Sequence, residues 1–174
     1  QSFNMDTFRY VINVNNIRCM LWCDYNEFYV MNRIKCIVSY DGSKFHGFQV
    51  QNQFRTVQGE IQKAIKNICK DESIVIHASG RTDAKVHGRR QVFHFDTLRE
   101  MPEKQWKRAI NHFLPNDIYI IDSFLVDENF HSRYSATKKE YHYMLSMNDY
   151  SPFETNYIYQ YGKELDIEAM RKAA

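Results

Sequence analysis

The chain is poor in the features that most readily reveal a function. Its four cysteines, Cys19, Cys23, Cys36 and Cys69, include no CxxC pair. Cys19 and Cys23 are separated by three residues and have no cysteine or histidine partners at metal-site spacing. Cys36 and Cys69 fall at apolar positions of an expected strand and helix, so both read as reduced core thiols. The seven histidines form no HExxH or similar ligand set, and no metal site is expected. No glycine-rich phosphate cradle with its lysine occurs, which excludes a nucleoside-triphosphate site of that kind. No triad or carboxylate pair stands at readable spacing, so a hydrolase signal is missing. No apolar run approaches membrane-spanning length, and no signal peptide precedes a small-residue cleavage site. The expectation is a soluble, cytoplasmic protein without membrane contact. Net charge is only +2, so bulk electrostatics do not by themselves demand a nucleic-acid partner.

There is ample core material: 44% of residues are apolar, with twelve Phe and twelve Tyr among 174. Arg33 to Tyr40 reads as a strand with Ile34, Cys36, Val38 and Tyr40 on one face. Asp41-Gly42 makes a turn. Thr56 is placed to cap a helix whose stripe is Val57, Ile61, Ala64, Ile65, Ile68 and Cys69. Ser73 to Ala78 and Gln91 to Asp96 read as strands. Pro102 opens a second helix burying Trp106, Ile110, Phe113 and Leu114, and Ile118 to Val126 gives a fourth strand. The order βαββαβ predicts an α+β, ferredoxin-like (RRM-like) domain over 31–128, with both helices on one face of an antiparallel sheet. Residues 1–30 lack a sustained period and read as an extension of unsettled structure. Residues 129–174, with a strand expected over Lys138 to Leu145 and a helix near Leu165 to Met170, read as the beginning of a second, truncated domain.

Between two of these strands lies Gly80-Arg81-Thr82-Asp83-Ala84-Lys85-Val86-His87-Gly88. Between His77 and Arg99, five basic residues (Arg81, Lys85, Arg89, Arg90, Arg99) face two acidic ones, Asp83 and Asp96. Such a focus holds phosphates or is simply a solvated face. Asp83 is either a nucleophile or general base kept ionised by Arg81, or a turn aspartate accepting backbone N–H bonds. Tyr141 and Tyr143 share one face of their expected strand, where they stack on a base or pack within a sheet. Lys138 and Lys139 at its entrance meet phosphates or water.

The runs Ile37 to Gln49, Arg55 to Glu60, Gly80 to Ala84, Val86 to Gly88 and Gln91 to Phe95 resemble the bacterial tRNA pseudouridine synthase A family. Asn111 to Pro115 and Phe130 to Thr137 resemble later blocks of the same family. The resemblance implies an isomerase that turns uridine into pseudouridine at positions 38 to 40 of the tRNA anticodon stem-loop. It implies a homodimer acting on tRNA without any cofactor. Asp83 would be the nucleophile, and Arg81 would assist base flipping and contact the backbone. Tyr141 would stack on the target base and is a candidate acceptor of the carbon-5 proton. His87, Arg133, Lys138 and Lys139 would add substrate contacts. The chemistry wants the carboxylate shielded from water and the uridine extruded from its stack. The family usually has glycine where this chain has Lys85; a positive φ there would strain the lysine by roughly 1–2 kcal/mol. Family members also run well beyond this length, so a truncated chain is expected to bind RNA poorly and turn over little. The competing class is a non-catalytic RNA-binding module in which the cations grip phosphates and Asp83 only shapes a turn.

Overall fold

The computed structural model describes residues 20–21 and 29–173. The extension over 1–30 therefore lies largely outside the described residues, as do Cys19 and Cys23. What is described of it is a two-residue antiparallel ladder, β1 (Met20–Leu21) against β2 (Tyr29–Val30).

The main sheet is built on β3 (Asn32–Tyr40), flanked by β5 (Gly88–Thr97) on one side and β6 (Ile118–Val126) on the other. The short strand β4 (His77–Ala78) pairs with the outer edge of β5, giving the antiparallel order β4–β5–β3–β6. Alternation along β3 turns Ile34, Cys36, Val38 and Tyr40 inward, and each is buried. The helix α1 (Val57–Cys69) starts where Thr56 Oγ1 accepts the Gly59 N–H at 3.3 Å, satisfying one of the orphan donors of its first turn. Val57, Ile61, Ala64, Ile65 and Ile68 are buried by the same stripe the sequence shows, and Cys69 packs at its margin. The helix α2 (Glu103–Phe113) contributes Trp106 and Ile110 to the same core, Trp106 meeting Phe95 edge-on at 5.3 Å.

Three sequence expectations need correction. Phe113 is half-exposed rather than buried, because α2 ends there and it is Leu114, already extended, that packs on the core. Ser73 to Ala78 forms a ladder only at His77–Ala78, although Ile74 and Ile76 are buried as its alternation implies. Of the strand expected over Lys138 to Leu145, only β7 (Leu145–Ser146) is paired, in parallel with β8 (Tyr159–Gln160). A pattern of alternating side chains makes a strand only where a neighbour accepts its backbone groups, and 136–143 has none among the described residues. The helix expected near Leu165 is present as α3 (Ile167–Ala173), with no buried side chains.

The register of β6 on β3 shifts between Ile37 and Val38, and Asn111 of α2 serves the irregularity. Its amide accepts the Ile120 N–H at 2.7 Å and donates to the Ile120 carbonyl at 3.0 Å. This residue of the Asn111 to Pro115 block therefore has a structural task.

Candidate active site

The loop from Ser79 to His87 joins β4 to β5 and is fastened at nearly every residue. Ser79 N–H donates to the Val92 carbonyl at 2.8 Å, and Gln91 Nε2 donates to the Gly80 carbonyl at 2.5 Å. The Thr82 carbonyl accepts the Phe48 N–H at 3.0 Å, while its hydroxyl meets the Tyr40 phenol at 2.8 Å. Lys85 N–H donates to the Phe45 carbonyl at 3.2 Å, and Val86 N–H closes the turn onto the Asp83 carbonyl at 3.2 Å. Two glycines permit the close approach. At Gly47, φ is +89° and a Cβ would stand 2.8 Å from the Thr82 carbonyl oxygen. At Gly88 a Cβ would stand 2.6 Å from Cζ of Tyr40, whose ring lies buried under the loop.

Lys85 adopts φ +65°, the left-handed region that favours glycine. The strain that its position implies is therefore present. Lys85→Gly should raise stability by about 0.5–1 kcal/mol, the relief being partly offset by glycine's greater freedom when unfolded. Urea unfolding checks this; an unchanged or lower midpoint contradicts it.

At the tip of this rigid loop the Asp83 side chain is exposed, and so is Arg81. The dry setting wanted for a nucleophile is not formed around Asp83 by the described residues, because 136–144 passes the site without packing over it. Nor does Arg81 pair with Asp83; among the described residues none of Lys44, Arg81, Lys85, Arg89 and Arg90 is ion-paired. An exposed carboxylate among free cations leaves those cations available to a polyanion. Lys139 comes alongside, its Nζ 3.2 Å from where a Cβ on Gly80 would lie. Tyr141 and Tyr143 are 77% and 87% exposed, so neither is sheet packing here. Lys138 is paired with Glu140 at 3.4 Å on the surface, and Arg133 is exposed.

His87, at the end of the loop, meets Asp41, Gly42 and Asn156 of the chain itself. Its Nδ1 lies 3.1 Å from both the Gly42 nitrogen and Asp41 Oδ1, and its Nε2 lies 2.9 Å from the Asn156 carbonyl, which requires a proton on Nε2. Both ring nitrogens are thus occupied by the protein. Beside it, Asp41 accepts hydrogen bonds from Ser43 and, at 2.8 Å, from the Tyr157 hydroxyl. Burial pushes the Asp41 carboxyl up, but the Ser43 and Tyr157 hydrogen bonds and nearby His87 outweigh it and hold it at about 2. This Asp41–His87–Tyr157 brace ties the 151–158 turns to the loop. Sequence reading found Asp41 only as a turn residue, and nothing local points to Tyr157.

On the sheet face away from the helices, His94 is buried, and its Nδ1 accepts the Ser132 N–H at 3.2 Å and contacts the Ser132 hydroxyl at 2.9 Å. This anchors the Phe130 to Thr137 block, including Arg133. Burial, then Arg33, His131 and His77, pushes His94 down to about 4, with Asp96 opposing. The unfolded chain thus binds a proton near pH 6.5 that the folded one refuses until about pH 4. Stability is full above that window and falls as pH drops through it. Unfolding free energies from urea titrations at pH 7 and pH 4.5 should differ by an amount on the order of 1–3 kcal/mol. His94→Asn, keeping an acceptor for Ser132, should flatten the slope; an equally steep slope in the variant contradicts the assignment.

A family model described as tRNA pseudouridine synthase matches residues 36–135, more than half of the chain. Its span runs from the central strand through the Asp83 loop to the Ser132 anchor. The chain belongs to the tRNA pseudouridine synthase A family. It is 51% identical over 144 residues to the tRNA pseudouridine synthase A of Oceanobacillus iheyensis, covering 82% of this chain and 57% of that protein. It is 48% identical over 144 residues to tRNA pseudouridine synthase A 1 of Bacillus cereus, with 82% and 58% covered. It is 42% identical over 143 residues to the tRNA pseudouridine synthase A of Anoxybacillus flavithermus, again with 82% and 58% covered. The chain spans somewhat over half the length of these curated relatives of the synthase family.

Proposed function

We propose that these residues belong to a cytoplasmic tRNA pseudouridine synthase that isomerises uridine in the anticodon stem-loop, at positions 38 to 40, acting as a homodimer without a cofactor. The observation that carries the reading is Asp83 itself. A carboxylate stands at the tip of a backbone-clamped loop, amid cations unpaired among the described residues, in a chain about half identical to named synthases. In this reading an extruded uridine brings its C1′ to the Asp83 carboxylate. The carboxylate attacks C1′ as the C1′–N1 bond breaks, and the electron pair leaves with the uracil. The uracil turns, carbon 5 attacks C1′ and releases Asp83, the carbon-5 proton passes to a base, for which Tyr141 is the candidate, and N1 takes up a proton, so that one proton has moved in net from carbon 5 to N1. Atoms balance with no co-reactant. Arg81, Lys138, Lys139 and Arg133 hold phosphates, and tRNA itself supplies part of the water exclusion the site lacks. The ferredoxin-like reading of 31–128 rests on the β4–β5–β3–β6 order and on α1 and α2 sharing one core.

A second reading is favoured by the exposure of Asp83: on these residues alone the molecule is an RNA-binding fragment that turns over little. The test is pseudouridine formation on unmodified tRNA by this chain and by a protein of the relatives' length. Activity only in the longer protein supports both statements; equal rates sink the second. No pseudouridine from either protein sinks the first.

A further inference from the structure

Next to the Asp83 loop, a second loop carries an aromatic pair that the reaction as described does not use. Gly47 and Phe48 fasten this loop under Thr82, and residue 46 precedes them directly. His46 N–H donates to the Arg55 carbonyl at 3.0 Å, closing residues 46–55 into a hairpin-like excursion. Gln51 Nε2 donates back to the His46 carbonyl at 2.7 Å, and Gln53 takes φ +75°. Within this frame the rings of His46 and Phe54 stand 4.4 Å apart with planes 31° from parallel. Both residues are exposed, Phe54 by 50%.

We propose that the His46–Phe54 pair is a nucleobase-stacking subsite that takes an unpaired base flanking the reacting nucleotide; this rests on the proposed isomerase reading. A flat ring, already backed by a second ring, offers an outer face to another flat π-system without first having to be ordered. Its surroundings suit a base better than a protein. The neighbours Gln49, Gln51, Asn52 and Gln53 are exposed amides able to meet base edges, with Val50 an exposed aliphatic side chain among them. Lys44, Arg81 and Lys85 nearby are exposed and unpaired among the described residues, matching the charge of a nucleic-acid backbone. The loop's own backbone bonds to the Asp83 loop fix the distance between platform and carboxylate.

The experiment uses the full chain and two probes: unmodified tRNA, and a short single-stranded RNA carrying 2-aminopurine. Phe54→Ala should weaken binding of both by roughly 5- to 150-fold, the range for loss of one base–aromatic stack. Phe54→Leu, which keeps apolar area without the ring, should weaken it similarly, whereas Phe54→Tyr should restore both affinity and 2-aminopurine quenching. Because the ring is half exposed, the unfolding midpoint of all three should stay near that of the native chain. Binding by Phe54→Ala within twofold of native overturns the proposal, and so does full quenching with Phe54→Leu. So does a shift of the RNA-free chain from dimer to monomer with RNA affinity unchanged, which would make the pair a protein contact. If Asp83→Asn retains pseudouridine formation, the catalytic reading fails, while the stacking result is still read from binding and quenching.

Discussion

Asp83→Asn is expected to lower pseudouridine formation by a factor on the order of 10⁴ or more, the scale seen when a covalent nucleophile is removed. Asparagine keeps the size and most of the hydrogen bonding of aspartate, and its amide is no nucleophile toward C1′. The loop should not move, because every bond that holds it runs through backbone atoms or other side chains: Thr82, Lys85, Val86 and His87. The Asp83 carboxylate has no hydrogen-bond partner to lose among the described residues. Affinity for tRNA should therefore stay the same or rise slightly, since one negative charge leaves a field of cations that meets phosphates. The measurement is single-turnover conversion of unmodified tRNA, with a binding titration beside it, on a protein of the relatives' length. Retained turnover would make Asp83 a turn residue, and parallel loss of binding and turnover would make it a folding residue.

Gly42→Ala should give the largest loss that leaves every charged group in place. A Cβ on Gly42 would fall inside the contact distance of the Val86 carbonyl oxygen and 2.5 Å from its carbon. Both are backbone atoms of the Asp83 loop, so no rotamer change relieves the clash. Gly42 N–H also donates to His87, so a shift there disturbs the brace as well. Overpacking of this kind costs about 1–3 kcal/mol, and the rigid frame argues for the upper end. Displacing Asp83 by about 1 Å should cost on the order of 10²-fold in turnover even in molecules that remain folded. Urea unfolding gives the first number, and rates at a temperature where the variant is fully folded give the second. A native-like midpoint together with native turnover would show that the two loops are not in contact as described.

What could be read from the residues, and what could not, divides by range. The α1 stripe and the alternation of β3 follow from side-chain periods within a dozen residues, and both are buried as the pattern requires. Phe113 departs from its stripe because a helix end, not a period, decides which of two adjacent residues turns inward. Tyr141 and Tyr143 alternate correctly, yet a strand is a property of two segments, and their run has no second one beside it among the described residues. Asp41 and Tyr157 are 116 residues apart, so their hydrogen bond has no local signature. For the same reason His87 reads as one more polar residue of a motif, although both its nitrogens are spent on the frame. The motif locates Asp83, but how wet its carboxylate is depends on what lies over it.

Residues 42–48 and 79–88 share their hydrogen bonds so completely that neither stretch is a separable module. Grafting the aspartate segment alone onto another scaffold would leave the Thr82 carbonyl without its Phe48 donor and the Lys85 N–H without its Phe45 acceptor. A chimera assembled from two diverged sequences should work only when both segments come from the same parent.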